Sequence, residues 1–337
     1  MITHLKIDGL RGILHAEVND MTPLVIFVGP NGCGKSTFLD ALMIGVSRLP
    51  VSALLDMMIR REGSHNRGEW LFHRKLATRT AEIGVRWTGE DGARMPRTTH
   101  LRRSAEGPPW VVDVGDPPIP LPPTEPGPAG GGRVVDPLAG PPTLNGEHPA
   151  QLWSEIKLLD MSRPEDGSLK DKLTAAMKMG RRKEIDNFLS AVLGPGFVSC
   201  QLAFEAQQTV VHLEFEDGTV PASVSGEGMY ALVRMAIEIA ATPGGAVLIE
   251  EPEAHQHPRN LELLAKMMWA AIHRGIQIVI TTHSLEMIDL LVLNAPGERL
   301  DDLTLYHVRT HKDLHHLTRI SGPDVKERLE GLGEDLR

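Results

Sequence analysis

Only two cysteines, Cys33 and Cys200, occur in the 337 residues. That is too few for a disulfide framework, and it points to a reducing, cytoplasmic setting. No apolar run reaches the roughly 18 residues that a membrane-spanning helix needs. No charged, apolar, small-residue leader opens the chain, so neither a membrane span nor a signal peptide is expected. Heptads and internal repeats are missing as well, which excludes a coiled coil. Positive charge is also short. The net charge is −9, so whole-molecule attraction to nucleic acid is not expected.

That charge is unevenly spread. Residues 59–103 hold eleven Lys or Arg (Arg102 and Arg103 among them) against five acids, a local +6 that leaves −15 for the rest. This stretch reads either as a solvated insertion surface or as a contact for nucleic acid or an acidic partner. Within it, "AEIGVRWTG" and "TTHLRRS" alternate like an exposed hairpin. Residues 106–150 are so rich in Pro and Gly that they can neither pair inside a sheet nor continue a helix. They read as a spacer, or as a segment that orders on contact with a partner.

What is present begins with "VIFVGPNGCGKSTFLDAL", residues 25–42. Gly29, four variable residues and Gly34-Lys35-Ser36 match the pattern G-x-x-x-x-G-K-S/T, between an apolar β-branched run and a helical pattern. Glycines let successive N–H groups turn inward around a phosphate, and the helix that follows adds its positive dipole end. The expected nucleotide contacts are Asn31, Gly32, Cys33, Gly34, Lys35, Ser36 and Thr37. Lys35 is expected to reach the β- and γ-phosphates of ATP, and the Ser36 hydroxyl to ligate Mg²⁺.

Two further apolar strands end in chemistry. "AVLIEEPEAHQHP" carries Glu250 and Glu251 to the carboxyl edge of a sheet, where Glu250 would hold Mg²⁺ and Glu251 would orient the attacking water and accept its proton. "IVITTHS" ends in His283, an imidazole able to sense the γ-phosphate or that water. Strand and helix patterns alternate from about residue 195 to 320 in the manner of a parallel sheet, closed by the hairpin "LTLYHVR" and "LHHLTRI".

In this order, the motifs resemble the ABC-type ATPase fold over roughly residues 1–48 and 195–320. "EEPEAHQHP" and "TTHS", with a large insertion after the loop helix, resemble the prokaryotic AAA_15/AAA_21 group, relatives of the OLD, RecF and SMC heads. The resemblance implies a mixed α/β sheet with a parallel P-loop core, an antiparallel N-terminal β subdomain and an inserted helical or irregular region. The head would comprise residues 1–48 and 169–320, with an insertion at 49–168 and a tail at 321–337. It implies nucleotide held between two heads, so that Ser225-Gly226 of one copy would contact the γ-phosphate bound by the other. "VSGEG" departs from L-S-G-G-Q, which leaves the register of this signature open by one residue, and a plain helix N-cap accounts for Ser225 as well. The resemblance also implies a glutamine loop, for which Gln151 and the stretch Asp160 to Arg163 are the candidates. Glu253, His255 and His257 fall on the turn that faces the dimer in this family, and are read as interface residues rather than metal ligands. His311, His315 and His316 lie across a hairpin turn, where alternation separates faces.

Neither the heptads of an SMC head nor room for an appended Toprim domain is present, so a stand-alone head is expected. Its activity would be hydrolysis of ATP to ADP and phosphate. As a homodimer or larger homo-oligomer it would regulate a separately encoded effector, such as a nuclease, in antiphage defence. The alternative is a RecF-like clamp on duplex DNA.

Overall fold

The computed structural model describes residues 1–47, 50–62, 69–74, 80–88, 94–102, 111–114, 119–120, 156–160, 169–205, 208–297, 299–311, 314–332 and 335–336. Strands β1 (Ile2–Leu10) and β2 (Ile13–Asn19) form a hairpin, and β3 (Leu24–Val28) runs into the glycine loop. Helices α1 (Lys35–Val46) and α2 (Pro50–Glu62) follow. Next come β4 (Thr80–Thr88), β5 (Arg94–Arg102), β6 (Val111–Val114), β7 (Ile119–Pro120) and β8 (Ile156–Asp160). The helical pattern of 169–193 is two helices, α3 (Leu169–Lys178) and α4 (Arg182–Leu193), broken where Gly180 adopts φ 71°. Strands β9 (Phe197–Glu205), β10 (Gln208–Phe215) and β11 (Gly218–Pro221) lead to α5 (Glu227–Ala240). The chain continues as β12 (Gly245–Glu250), α6 (Pro258–His273), β13 (Ile276–Thr281), α7 (Leu285–Leu293), β14 (Leu303–His311), β15 (Leu314–Ser321) and α8 (Gly322–Glu327).

These strands build three sheets. The central one has the order β15-β14-β3-β13-β12-β8, parallel throughout except for β15. An antiparallel sheet runs β2-β1-β4-β5-β6-β7, and a small one runs β11-β10-β9. The sequence suggested an exposed hairpin at β4–β5. Instead, β4 pairs with β1 from Ile2↔Trp87 to Asp8↔Glu82, so the pair extends the N-terminal sheet. Its inward residues Ile83, Val85 and Trp87 are buried.

Helix α1 explains why the two large sheets face each other. Ten of its twelve residues are buried, so it is covered on all sides rather than along one stripe. Phe38 stacks on Phe27 of β3 at 5.0 Å, while Gly45 packs so tightly on β4 that an added Cβ would lie 2.9 Å from Ile83 and Val85. Gln277 of β13 ties the sheets together again. Its amide accepts from the N–H of Ile2 at 2.7 Å and donates to the carbonyls of Ile2 and Thr22. Helices α6 and α7 cover the opposite face of the central sheet, and α3, α4 and α5 pack with the small sheet in a third core. No helix among the described residues is long and apolar enough to cross a membrane.

Candidate functional site

The glycine loop leaves β3 at the carboxyl edge of the central sheet. Gly29 adopts φ 144°, and a Cβ there would lie 2.3 Å from the carbonyl oxygen of Val308 on β14, so only glycine passes. Gly32 and Gly34 also have positive φ, at 78° and 96°. Gly34 is the N-cap of α1 and brings no side chain, which leaves the first-turn N–H groups facing the loop. Asn31 and Gly32 are exposed, Ser36 is half-buried, and Cys33, Lys35 and Thr37 are buried. The Lys35 ammonium donates back to the carbonyls of Gly29 at 2.7 Å and Pro30 at 3.1 Å. Burial lowers its pKa, against the pull of Cys33 and the nearby acids. Burial also raises the Cys33 thiol above its ordinary value, with the Lys35 charge working the other way. A thiol held that way reacts slowly with alkylating reagents.

Glu250 ends β12 in register with Thr281 of β13, placing both acids and His283 on the edge where β3 enters the loop. Glu251 follows with φ 50°, a left-handed conformation unusual for a residue with a side chain, held by its N–H on the carbonyl of Thr281 at 3.0 Å. That turn aims its half-exposed carboxylate at His283, with Oε1 3.7 Å from Nε2. Glu253 locks the same corner. Its Oε1 accepts from the Thr282 hydroxyl at 2.7 Å and from the His283 N–H at 2.9 Å. The sequence suggested only an interface residue at Glu253; within the chain it fixes the turn that carries His283.

Ser225 and Gly226 sit at the start of α5, next to an exposed Val224. Gly226, not Ser225, is the N-cap, and the Ser225 hydroxyl donates back to the carbonyl of Ala222. The plain capping role is therefore not the one Ser225 plays. Gly228 touches the 253–257 turn so closely that a Cβ would lie 2.3 Å from the carbonyl oxygen of His255, itself at φ 60°. Gln256 adds a hydrogen bond to the Gly228 carbonyl at 3.1 Å. The candidate signature is thus coupled through this turn to Glu251 and Glu253.

One part of the site was not visible in the sequence. Asp40, on α1 one turn beyond Ser36, is fully buried and accepts from Arg11, Arg60 and Arg61. Arg61 also grips Glu250 with both arms, Nη1 to Oε1 at 3.1 Å and Nη2 to Oε2 at 2.8 Å. Arg97 is buried too, with its Nη1 on the carbonyl of Ser47 at 2.7 Å. Three arginines of the basic stretch 59–103 are thus spent inside the molecule, while Arg86 and Arg102 remain exposed. The only hint was an aspartate in the middle of an otherwise apolar helix. His315 lies against the loop as well, 3.2 Å from where a Gly34 Cβ would stand. Gln151, Arg163 and Arg103 fall outside the described residues, as does nearly all of 106–150.

The donor set fits Mg²⁺. Ser36 and Glu250 offer two hard oxygens beside the loop, and a magnesium ion in a nucleotide site takes its other ligands from phosphates and water. Arg61 is a cation already seated on Glu250. No group of three or more His, Cys, Asp or Glu suited to an all-protein metal cage occurs among the described residues.

A strand, a glycine loop and a buried lysine beside two acid-ended and histidine-ended parallel strands define a P-loop ATPase of the ABC type. Residues 146–289 match the AAA_21 family model, described as "AAA domain, putative AbiEii toxin, Type IV TA system", and residues 4–99 match AAA_23, described as an AAA domain. The chain is similar to MJECL11, an uncharacterized protein of Methanocaldococcus jannaschii, with 34% identity over 113 residues that span 33% of this chain and 98% of that one. Its fold is similar to the SMC head domain from Thermotoga maritima, with TM-score 0.53 and 14% identity over 95% of this chain and 99% of that one. A second similar structure is the Smc head with an extended coiled coil bound to the C-terminal domain of ScpA, derived from Pyrococcus furiosus. There the TM-score is 0.58, with 14% identity over 99% of each chain. The chain is a P-loop ATPase of the ABC type that matches the AAA_21 model, and it shares the fold of the SMC heads.

Proposed function

We propose that the protein is a Mg²⁺-dependent ATPase whose two copies close head-to-head around ATP, and that this closure controls a separately encoded effector in antiphage defence. The supporting observation is the continuous path from Glu251 and His283, through the 253–257 turn, to Gly228 in the first turn of α5, just after a half-buried Ser225 and an exposed Gly226. A serine that does not cap its own helix, next to an exposed glycine, suits a phosphate carried by a second copy. In this reading Asn31 to Thr37 bind the phosphates, with Lys35 released from its own loop carbonyls. Ser36 and Glu250 hold Mg²⁺, which when bound supplies charge neutralisation across the phosphates. Glu251 takes the proton from the attacking water, and His283 orients the two.

The effector role draws on the description of the matched AAA_21 family, which refers to toxin–antitoxin systems. The DNA-clamp alternative has less support, because Arg60, Arg61 and Arg97 are committed to internal carboxylates and a carbonyl.

ATP turnover per molecule, measured over a hundredfold range of protein concentration, tests the paired site. Specific activity is expected to rise with concentration and then level off. A flat profile in a protein that is monomeric by mass would overturn it. Copurification from the host separates the two roles. A stoichiometric second polypeptide supports the effector reading, whereas DNA binding that falls steeply with salt supports the clamp.

A further inference from the structure

Arg61 holds the carboxylate that the proposed function gives to Mg²⁺. Its guanidinium spans Asp40 and Glu250, taking both oxygens of Glu250 in a bidentate pair. Ser36 and Asp40 are four residues apart on α1, so they share one face of that helix. A cation bridging Asp40 to Glu250 therefore lies across the side from which Ser36 and Glu250 would share a metal. The arrangement is partly buried, with the Arg61 side chain 16% and that of Glu250 11% exposed, so solvent does little to weaken it.

Charge decides what happens when a divalent ion arrives. Three guanidinium groups, from Arg11, Arg60 and Arg61, already face two carboxylates. Burial works against the charge on Arg61, yet Asp40 and Glu250 more than offset it and leave its pKa raised, so it cannot leave by losing its proton. It can leave only by moving. Asp40 would remain satisfied, because Arg11 and Arg60 continue to donate to it. The last turn of α2 thus stays docked through Arg60 while the Arg61 side chain swings off Glu250.

We propose that Arg61 is a latch on Glu250. Mg²⁺ and Arg61 compete for this carboxylate, so loading of Mg²⁺-nucleotide displaces the Arg61 side chain from Glu250 while Arg60 keeps α2 on Asp40. Arg61 is in this sense a positioning residue: it sets when Glu250 is available. The inference rests on Glu250 being the Mg²⁺ ligand.

The test is the Mg²⁺ dependence of binding of a fluorescent ADP analogue to the full-length protein. In Arg61→Gln the half-saturating Mg²⁺ concentration should fall about fivefold, because the bidentate competitor for Glu250 is gone and only the longer Arg60 contact, Nη1 to Oε2 at 3.5 Å, remains. Binding in EDTA should stay within about twofold of wild type, and Arg61→Lys, which keeps the charge without the bidentate grip, should fall between the two. An unchanged or raised Mg²⁺ requirement in Arg61→Gln would overturn the latch, and so would equal loss of binding with and without Mg²⁺. Glu250→Ala separates the premise from the latch: if it keeps the wild-type Mg²⁺ dependence, the metal assignment itself is wrong.

Discussion

Glu251→Gln should lose about a thousandfold in ATP turnover while binding nucleotide as well as wild type, within a factor of about two. The change removes the carboxylate assigned to take a proton from water yet keeps its size, its left-handed backbone and its contact with His283. A positioned general base contributes roughly 10²–10⁴ to rate, and here no second carboxylate can stand in. Glu250 is given to Mg²⁺ in the loaded site, and Glu253 spends Oε1 on Thr282 and the His283 N–H. Single-turnover hydrolysis beside equilibrium binding measures both halves. A loss below about tenfold would move the base elsewhere, and a matching loss of binding would make Glu251 a nucleotide ligand instead.

Lys35→Ala should act at the earlier step. The ammonium is buried, which lowers its pKa, and it donates to the carbonyls of Gly29 and Pro30. A phosphate offers it a better partner, because it adds attraction between opposite charges to the hydrogen bond. Losing it should weaken ATP binding by at least about a hundredfold, near 2.8 kcal/mol at 1.4 kcal/mol per decade. The fold should survive, because alanine leaves no charge to bury. Calorimetric titration with ATP, together with a melting curve, checks both points. Binding within tenfold of wild type would mean that the loop amides, not Lys35, carry the affinity.

The contrast between what could and could not be read in the sequence follows from range. Gly29 to Ser36, Glu250-Glu251 and His283 each lie at the end of a short apolar strand, and parallel packing brings the ends of such strands to one edge. Strands β3, β12 and β13, and the chain order of the motifs, were legible for that reason. The Arg61–Glu250 pair spans 189 residues and the Arg11–Asp40 pair 29, and neither has a local pattern. A run of arginines looks the same in sequence whether it faces solvent or a buried aspartate. The hairpin β4–β5 was legible as a hairpin, but its pairing with β1 depends on a partner more than 70 residues earlier. Nor does the sequence announce the left-handed turn at Glu251, since side chains rarely adopt φ 50° and only the turn after β12 imposes it. His315 was assigned to a hairpin turn, and its place against Gly34 follows from β14 pairing in parallel with β3.

The central claim is that the site is completed by a second copy. The direct test is the mass in solution of Glu251→Gln and of Glu251→Gln carrying Ser225→Arg, each with and without ATP and Mg²⁺. The account predicts a stable dimer of the first only when ATP and Mg²⁺ are present, and no dimer of the second under either condition. If both variants show the same mass whatever the nucleotide, Ser225 does not face a partner's phosphate and the head-to-head reading is wrong.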